Sequence, residues 1–135
     1  MSDDELPPHL LTRAVKSGRE FGWRQEDFLV ALHEAALEGF ACIGGQFQYA
    51  LPDGACELYW LNADSLPHTP SESWWSYVKR SEEEVKKGYE LLLRTINFDA
   101  EVNKFDFLRE KIAGGISLDE YLIFIAYFKS SHGVQ

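Results

Sequence analysis

Two segments of the chain carry apolar residues at the spacing of an amphipathic helix. From Arg24 to Glu38 the apolar positions lie three and four apart, and Gly39 provides a stop after them. A longer stripe of the same kind runs from about Ser73 to Thr95 and passes through Gly88, which lowers helix propensity by about 1 kcal/mol. We therefore predict a helix in each segment, the second continuing through its glycine.

Three further segments indicate shorter helices. His9–Ser17 would end at Gly18, and a helix from about Val102 to Ala113 would end at the glycine pair that follows it. The last begins with Ser117-Leu118-Asp119-Glu120, which matches the S-x-x-E capping box, and continues through the apolar run Tyr121–Phe128. That run would also suit a strand, but the capping box favours a helix.

Between the two long helices the apolar period changes to two. Gln46–Leu51 alternates, Cys56–Leu61 follows, and Pro52-Asp53-Gly54 lies between them. Pro fits the first corner of a type I turn, and we expect Gly54 to supply a left-handed residue that rejoins the ladder. The pair Gly44-Gly45 indicates a turn or a close backbone approach before the first strand. The segment predicts a β-hairpin.

The order helices, hairpin, helices predicts an α+β fold, in which a small antiparallel sheet built on one β-hairpin packs against about four to five helices. Because a lone hairpin is marginal in water, we expect a third strand, such as Ala41–Ile43, or firm packing on the long helix. The length suits a single domain over residues 1–135, with residues 1–8 as a flexible end.

The charge balance narrows the classes of partner. The formal net charge is −9, from 22 acidic and 13 basic residues. Direct binding to nucleic acid or to an anionic membrane is disfavoured, because such binding depends on clustered basic residues. The N-terminal residues lack the basic start and apolar run of a secretory signal, and Cys42 and Cys56 form no disulfide framework. We therefore expect a cytoplasmic protein with two reduced, buried thiols.

Motifs for catalysis are absent from the sequence. There is no P-loop, no G-x-G-x-x-G, no G-x-S-x-G, no C-x-x-C and no H-E-x-x-H, and the four His residues are isolated. Pairing of Asp53 with Glu57, or of Cys56 with His33 or His68, would be needed for acid–base or nucleophilic chemistry. A turn residue, an exposed strand charge and a buried thiol are the simpler interpretations. We expect no enzyme activity, no cofactor and no metal.

An acidic and aromatic stretch coincides with the predicted hairpin. Residues 39–70 contain no Lys or Arg. Alternation along the second strand is expected to place adjacent Tyr59 and Trp60 on opposite faces, so that both cannot be core. Aromatic anchors with an acidic rim are typical of a binding face. The candidate contacts for a partner protein are Asp53, Glu57, Asp64, Glu72, Tyr59, Trp60 and Trp75.

The middle third of the chain resembles a known protein family. The residues that carry the resemblance are GGQFQYALPDG at 44–54, CELYWLN at 56–62 and ESWWSYVKRS at 72–81. They are similar to immunity proteins of bacterial polymorphic-toxin and contact-dependent growth-inhibition systems. The resemblance implies a cytoplasmic antidote that binds one cognate toxin domain, such as a basic nuclease, and blocks its active site or substrate entry.

Two other functions stay open at this point. One is a small enzyme or ligand-binding domain that uses the hairpin cleft, and the other is a regulatory adaptor without a toxin partner. An acidic inhibitor of a basic nuclease would gain electrostatically steered association, which agrees with the charge of this chain.

Overall fold

A five-stranded antiparallel sheet with four α-helices makes up the fold in the computed structural model, which describes residues 5–131. The order of strands across the sheet is β1-β2-β5-β3-β4. The strands are β1 (Val15–Ser17), β2 (Glu20–Arg24), β3 (Ala41–Leu51), β4 (Gly54–Asp64) and β5 (Leu122–Lys129). The helices are α1 (Gln25–Leu37), α2 (Trp74–Thr95), α3 (Phe98–Val102) and α4 (Asp106–Ala113), and 3-10 turns cover Pro8–Leu10 and Leu118–Tyr121.

The α+β class and the two long helices are confirmed, but the predicted sheet, built on one hairpin, is smaller than the observed five-stranded sheet. The predicted hairpin is present as β3 and β4, and Ala41–Ile43 is the beginning of β3, not a separate strand. A second hairpin joins β1 to β2 where a helix was predicted over His9–Ser17. Its turn places Gly18 at φ 63°, which suits the first corner of a tight hairpin turn.

The predicted final helix is wrong, because Leu122–Lys129 forms β5 at the centre of the sheet. The hydroxyl of Ser117 makes no capping hydrogen bond, and only one 3-10 turn follows it. Residues on both sides of β5 are buried, including Ile123, Phe124 and Ile125. A strand that is covered on both faces carries a continuous apolar run, which periodicity alone does not distinguish from a buried helix.

The helices cover one face of the sheet around an aromatic cluster. Phe124 of β5 lies 4.6 Å from Phe28 of α1, 5.0 Å from Phe47 of β3 and 5.0 Å from Tyr89 of α2, measured between ring centroids. All four rings are buried. Of the helix expected from about Val102 to Ala113, Asp106–Ala113 forms α4, Val102 is the last residue of the separate α3, and residues 103–105 between them are not helical.

The second face of the sheet is closed by the curl of the β1–β2 hairpin. Ser17 of β1 accepts a hydrogen bond from Gln48 of β3 at 2.5 Å, although β2 and β5 lie between these strands in the sheet. Gly22 permits this curl, because a Cβ there would lie 2.8 Å from Ile123 and 2.9 Å from Ile125. Both isoleucines are buried, and both lie next to Gly22.

The glycines of the β3–β4 hairpin have other roles than we predicted. Gly44 and Gly45 lie inside β3, so the expected turn is wrong, whereas the expected close backbone approach is confirmed. The φ angle of Gly54 is not positive, so the expected left-handed conformation is wrong. A Cβ added at Gly54 would lie 3.2 Å from the ring of Phe107 in α4. Of residues 1–8, expected to be a flexible end, residues 1–4 lie outside the described part, and Leu6 is buried in the core.

We predict that Gly45→Ala destabilises the protein far more than Gly54→Ala. A methyl group at position 45 would collide with the carbonyl oxygen of Ile125 in the neighbouring strand, whereas Phe107 can move away from position 54. Overpacking of this kind costs about 1–3 kcal/mol. Chemical denaturation of both variants measures the difference. Equal losses in the two variants would contradict a close approach of β3 and β5 at Gly45.

A second prediction concerns Tyr89, whose buried hydroxyl has no hydrogen-bond partner within residues 5–131. Tyr89→Phe should raise the free energy of unfolding by about 1 kcal/mol, because an unpaired polar group is removed from the core. Tyr127→Phe is the control, since the hydroxyl of Tyr127 donates to Glu20 and accepts from Gln46. That variant should lose stability, and a loss in Tyr89→Phe of similar size would contradict the prediction.

Candidate functional site

A β-bulge in β4 exposes two adjacent aromatic side chains. Gln46 pairs with Asn62, but the next residue of β3, Phe47, pairs with Leu58, so three residues of β4 lie opposite a single step of β3. Tyr59 and Trp60 are in this bulge and are 66% and 42% exposed. Simple alternation is therefore the wrong description of this segment, because the bulge turns both rings outward.

Residues from α3 and the turn after it hold Trp60 in place. Its indole nitrogen donates to Glu101 at 2.8 Å, and its ring is stacked on Phe105 at 6.0 Å between centroids. Lys104 lies 5.9 Å from the indole centroid and forms an ion pair with Glu101 at 3.1 Å. The hydrogen bond from Trp60, together with Lys104, lowers the pKa of Glu101. Tyr59 lies edge-on to Trp60 at 5.3 Å between centroids, so the pair presents a supported aromatic surface.

The seven predicted contact residues do not form one site. β4 has 11 residues, which at roughly 3.3 Å per residue places its ends about 30 Å apart. Asp53 precedes one end and Asp64 is at the other, with Glu57 and the aromatic pair between them. Glu72 and Trp75 lie beyond the far end, at the beginning of α2. We name Glu57, Tyr59 and Trp60 the bulge surface.

Basic residues from the helices α2 and α4 neutralise two of the predicted acids. Lys111 of α4 forms an ion pair with Asp53 and lowers the pKa of that carboxyl group. Arg80 of α2 binds Glu72 through two nitrogens, at 2.6 and 2.8 Å. The stretch without Lys or Arg in the sequence is therefore less acidic in space than the sequence indicated.

Glu57 and Asp64 keep unpaired charges. Both are exposed on β4, and neither is in an ion pair within the described part of the chain. Partial burial raises the pKa of Asp64, although a backbone hydrogen bond from Gly45 opposes the shift. Of the four predicted acids, these two are the ones free to meet basic groups of a partner.

Arg80 organises the loop that leads from β4 to α2. Besides Glu72, its guanidinium donates to Glu84 at 2.8 Å and to the carbonyl oxygens of Leu66 and Pro67 at 3.2 and 3.1 Å. It also lies 5.2 Å from the centroid of the Tyr77 ring. Sequence reasoning missed this role. The spacing of four residues between Arg80 and Glu84 indicates their ion pair, but no local pattern indicates the contacts of Arg80 with the loop.

The thiols and imidazoles that we considered for nucleophilic chemistry lie in other contacts. Cys42 and Cys56 are free and buried, and burial raises the pKa of Cys42 to about 12. His33 bonds Glu82 at 2.8 Å, and His68 bonds the carbonyl oxygen of Glu72 at 2.7 Å. Neither of these contacts brings a histidine to Cys56.

Comparison of the chain with family models, curated proteins and solved structures gives no match. The resemblance over residues 44–54, 56–62 and 72–81 therefore stays an expectation from those residues. Among residues 5–131, no three side chains of His, Cys, Asp or Glu are grouped so as to hold a metal ion. No helix of that part is both long and apolar enough to cross a membrane.

We predict that Arg80→Gln loosens the loop between β4 and α2 in a pH-dependent way. The hydrogen bond from Arg80 lowers the pKa of Glu72 from 4.5 to about 2. A lowered pKa in the folded state stabilises the fold above pH 4.5, and this contribution is lost as the pH falls through about 2. The stability difference between parent and variant should therefore be constant from pH 7 to pH 5 and shrink below pH 4.5.

Lys79→Gln is the matched control, because Lys79 is exposed and forms no ion pair within residues 5–131. Denaturation midpoints between pH 2 and 7 give the comparison, and amide exchange at Leu66, whose N–H donates to Glu84, reports on the loop itself. A difference between Arg80→Gln and parent that does not change with pH would show that the Arg80–Glu72 contact is not the cause.

Proposed function

We propose that this chain is an inhibitor that binds a basic bacterial toxin domain through the bulge surface. The observation that carries the proposal is the β-bulge, which turns Tyr59 and Trp60 outward together beside the unpaired Glu57. Bulges that re-aim side chains occur beside functional sites, and Tyr and Trp are enriched among the residues that dominate binding energy.

The support for Trp60 matters as much as its exposure. Because Glu101 and Phe105 hold the indole before any partner arrives, little side-chain entropy would be lost on binding. Tyr59, which is more exposed, lies against that fixed ring. The bulge surface therefore has the rigid aromatic centre that a tight interface requires.

The charge distribution supports a basic partner. Residues 25–78, which include the bulge surface, contain eight acidic residues and no Lys or Arg. The acids of this segment can therefore form ion pairs with Lys or Arg only from other segments of the chain. Among its acids, Glu57 and Asp64 are free of ion pairs within the described residues. A basic nuclease domain would be steered toward this side, and an acidic inhibitor seated there would block access of the nucleic acid substrate. The resemblance to immunity proteins supports the same proposal.

We expect a basic toxin domain to be encoded beside this gene, and its binding to this chain tests the proposal. Tyr59→Ala should weaken the complex by about 2 kcal/mol, about 30-fold in Kd, without changing the melting temperature, because Tyr59 is largely exposed. Leu91→Ala is the control, since Leu91 is 50% exposed on α2. Equal Kd values for parent, Tyr59→Ala and Glu57→Lys would place the interface elsewhere. Absence of any complex would overturn the proposed function.

Charge reversal separates steering from contact. Glu57→Lys should mainly slow association, and the effect should shrink as salt rises, because exposed charges are screened beyond about 8 Å at physiological ionic strength. Glu90→Lys makes the same change in net charge on the exposed side of α2. An equal slowing in both variants would show that only the net charge matters.

A cleft beside the hairpin tip favours small-ligand binding as a second candidate function. The cleft has a volume of about 520 Å³ and lies between the curled β1–β2 hairpin and the turn of β3–β4. Ser17, Arg24, Ala50 and Ile123 are among its lining residues. Ala50→Trp would fill the cleft, and toxin binding that survives this change would separate the two functions.

A further inference from the structure

A buried amide group lies at the floor of the cleft beside the hairpin tip. Arg24, Ile123 and Gln48 pair with one another across β2, β5 and β3, so their side chains project on the same face of the sheet. Ala50 follows Gln48 by two residues on β3 and projects on that face as well. Arg24, Ile123 and Ala50 all line the cleft. The side chain of Gln48, which is 1% exposed, therefore lies between lining residues.

Gln48 and Ser17 together present a free acceptor and a free donor at this floor. The amide nitrogen of Gln48 donates to the hydroxyl oxygen of Ser17, a lining residue, at 2.5 Å. Within residues 5–131, the amide oxygen of Gln48 has no hydrogen-bond partner, and the hydroxyl hydrogen of Ser17 has no acceptor. Buried polar atoms are nearly always paired. A ligand hydroxyl group would satisfy both residues, because it can accept from Ser17 and donate to Gln48.

An unpaired guanidinium group lies on the other side of the cleft. Arg24 is exposed and forms no ion pair or side-chain hydrogen bond within the described part of the chain. Lys16 and Arg24 are the basic lining residues and Glu120 is the acidic one, so the cleft has an excess of positive charge in a chain of net charge −9. The ammonium group of Lys16 lies 5.8 Å from the centroid of the Phe21 ring, which leaves Arg24 as the group best placed to bind an anion.

The space between the two polar ends suits a small carbon skeleton. β5 separates the strands of Arg24 and Gln48, so two strand spacings of about 4.8 Å lie between their backbones. Val15, Ala50 and Ile123 provide apolar surface along this distance. The cleft volume of about 520 Å³ is within the range typical of small-molecule sites, which combine apolar walls with a few polar groups.

We propose that the cleft binds a small organic carboxylate that carries a hydroxyl group, an inference that rests on the second candidate function, small-ligand binding, and not on the toxin. The carboxylate pairs with Arg24, whose guanidinium can donate two parallel hydrogen bonds to it. The ligand hydroxyl group bonds Ser17 and Gln48, and the carbon skeleton contacts the apolar wall between them.

Three related probes test this assignment on the full chain. They are para-hydroxybenzoate, benzoate, which lacks the hydroxyl group, and para-hydroxybenzyl alcohol, which lacks the carboxylate. Amide chemical shifts in titrations give the affinity, and the signals of Gly18 and Gly54, which line the cleft, give the location. Para-hydroxybenzoate should bind saturably and about tenfold more tightly than either of the other two probes, because each of them loses one polar contact.

Two variants assign the contacts to residues. Arg24→Gln should weaken para-hydroxybenzoate about tenfold and leave the affinity of the alcohol unchanged. Arg19→Gln is the matched control, because Arg19 is exposed on the same β1–β2 hairpin and does not line this cleft. Ser17→Ala should reduce the affinity for para-hydroxybenzoate to that for benzoate and leave benzoate binding unchanged, which separates a lost contact from a general loss of structure.

Several outcomes would overturn the proposal. One is equal affinity of Arg24→Gln and Arg19→Gln for para-hydroxybenzoate, and another is equal affinity of the parent chain for all three probes. Binding that survives Ala50→Trp would place the ligand outside the cleft. Equal binding of the three probes that Ala50→Trp abolishes would keep small-ligand binding as a function and reject this ligand class. Failure of all three probes to bind would reject both, and a toxin complex formed by the same protein would still support the inhibitor function.

Discussion

Phe124 is in contact with three other rings, and those contacts join the two layers of the fold. Its neighbours come from α1, β3 and α2, so one side chain of the central strand fixes the distance between the sheet and both long helices. The opposite side of the same strand is covered by the curled β1–β2 hairpin, which Gly22 permits. β5 pairs with β2 and β3, and through β3 it positions the edge strand that carries the bulge surface.

Local signals were sufficient for the elements whose partners are near in the sequence. Helical spacing identified α1 and α2, and alternation with a Pro-Asp-Gly turn identified β3 and β4. The central strand was not predictable in this way, because β5 is buried on both faces and a capping-box pattern precedes it. The difference between helix and strand there depends on whether β2 and β3 are available as neighbours, which is a property of the whole chain.

The candidate site was predicted in composition but not in arrangement. The sequence shows that Tyr59, Trp60 and Glu57 are close together, but no pattern indicates the bulge that turns both rings outward. Arg80 of α2 pairs with Glu72, eight residues before it, and Lys111 of α4 pairs with Asp53, 58 residues before it. The negative charge counted along a stretch without basic residues is therefore an upper limit on the net negative charge of the surface that the stretch forms.

The position of β5 in the chain has a consequence for synthesis. Gly22 pairs with Ile125 and Cys42 pairs with Phe128, so the two inner strand edges of β2 and β3 are made long before the strand that fills the space between them. Folding dominated by such distant pairings is slow, and open strand edges are sites of aggregation. While the ribosome is still producing residues 122–129, both edges are without their partner strand, and the rate of translation sets how long they stay open.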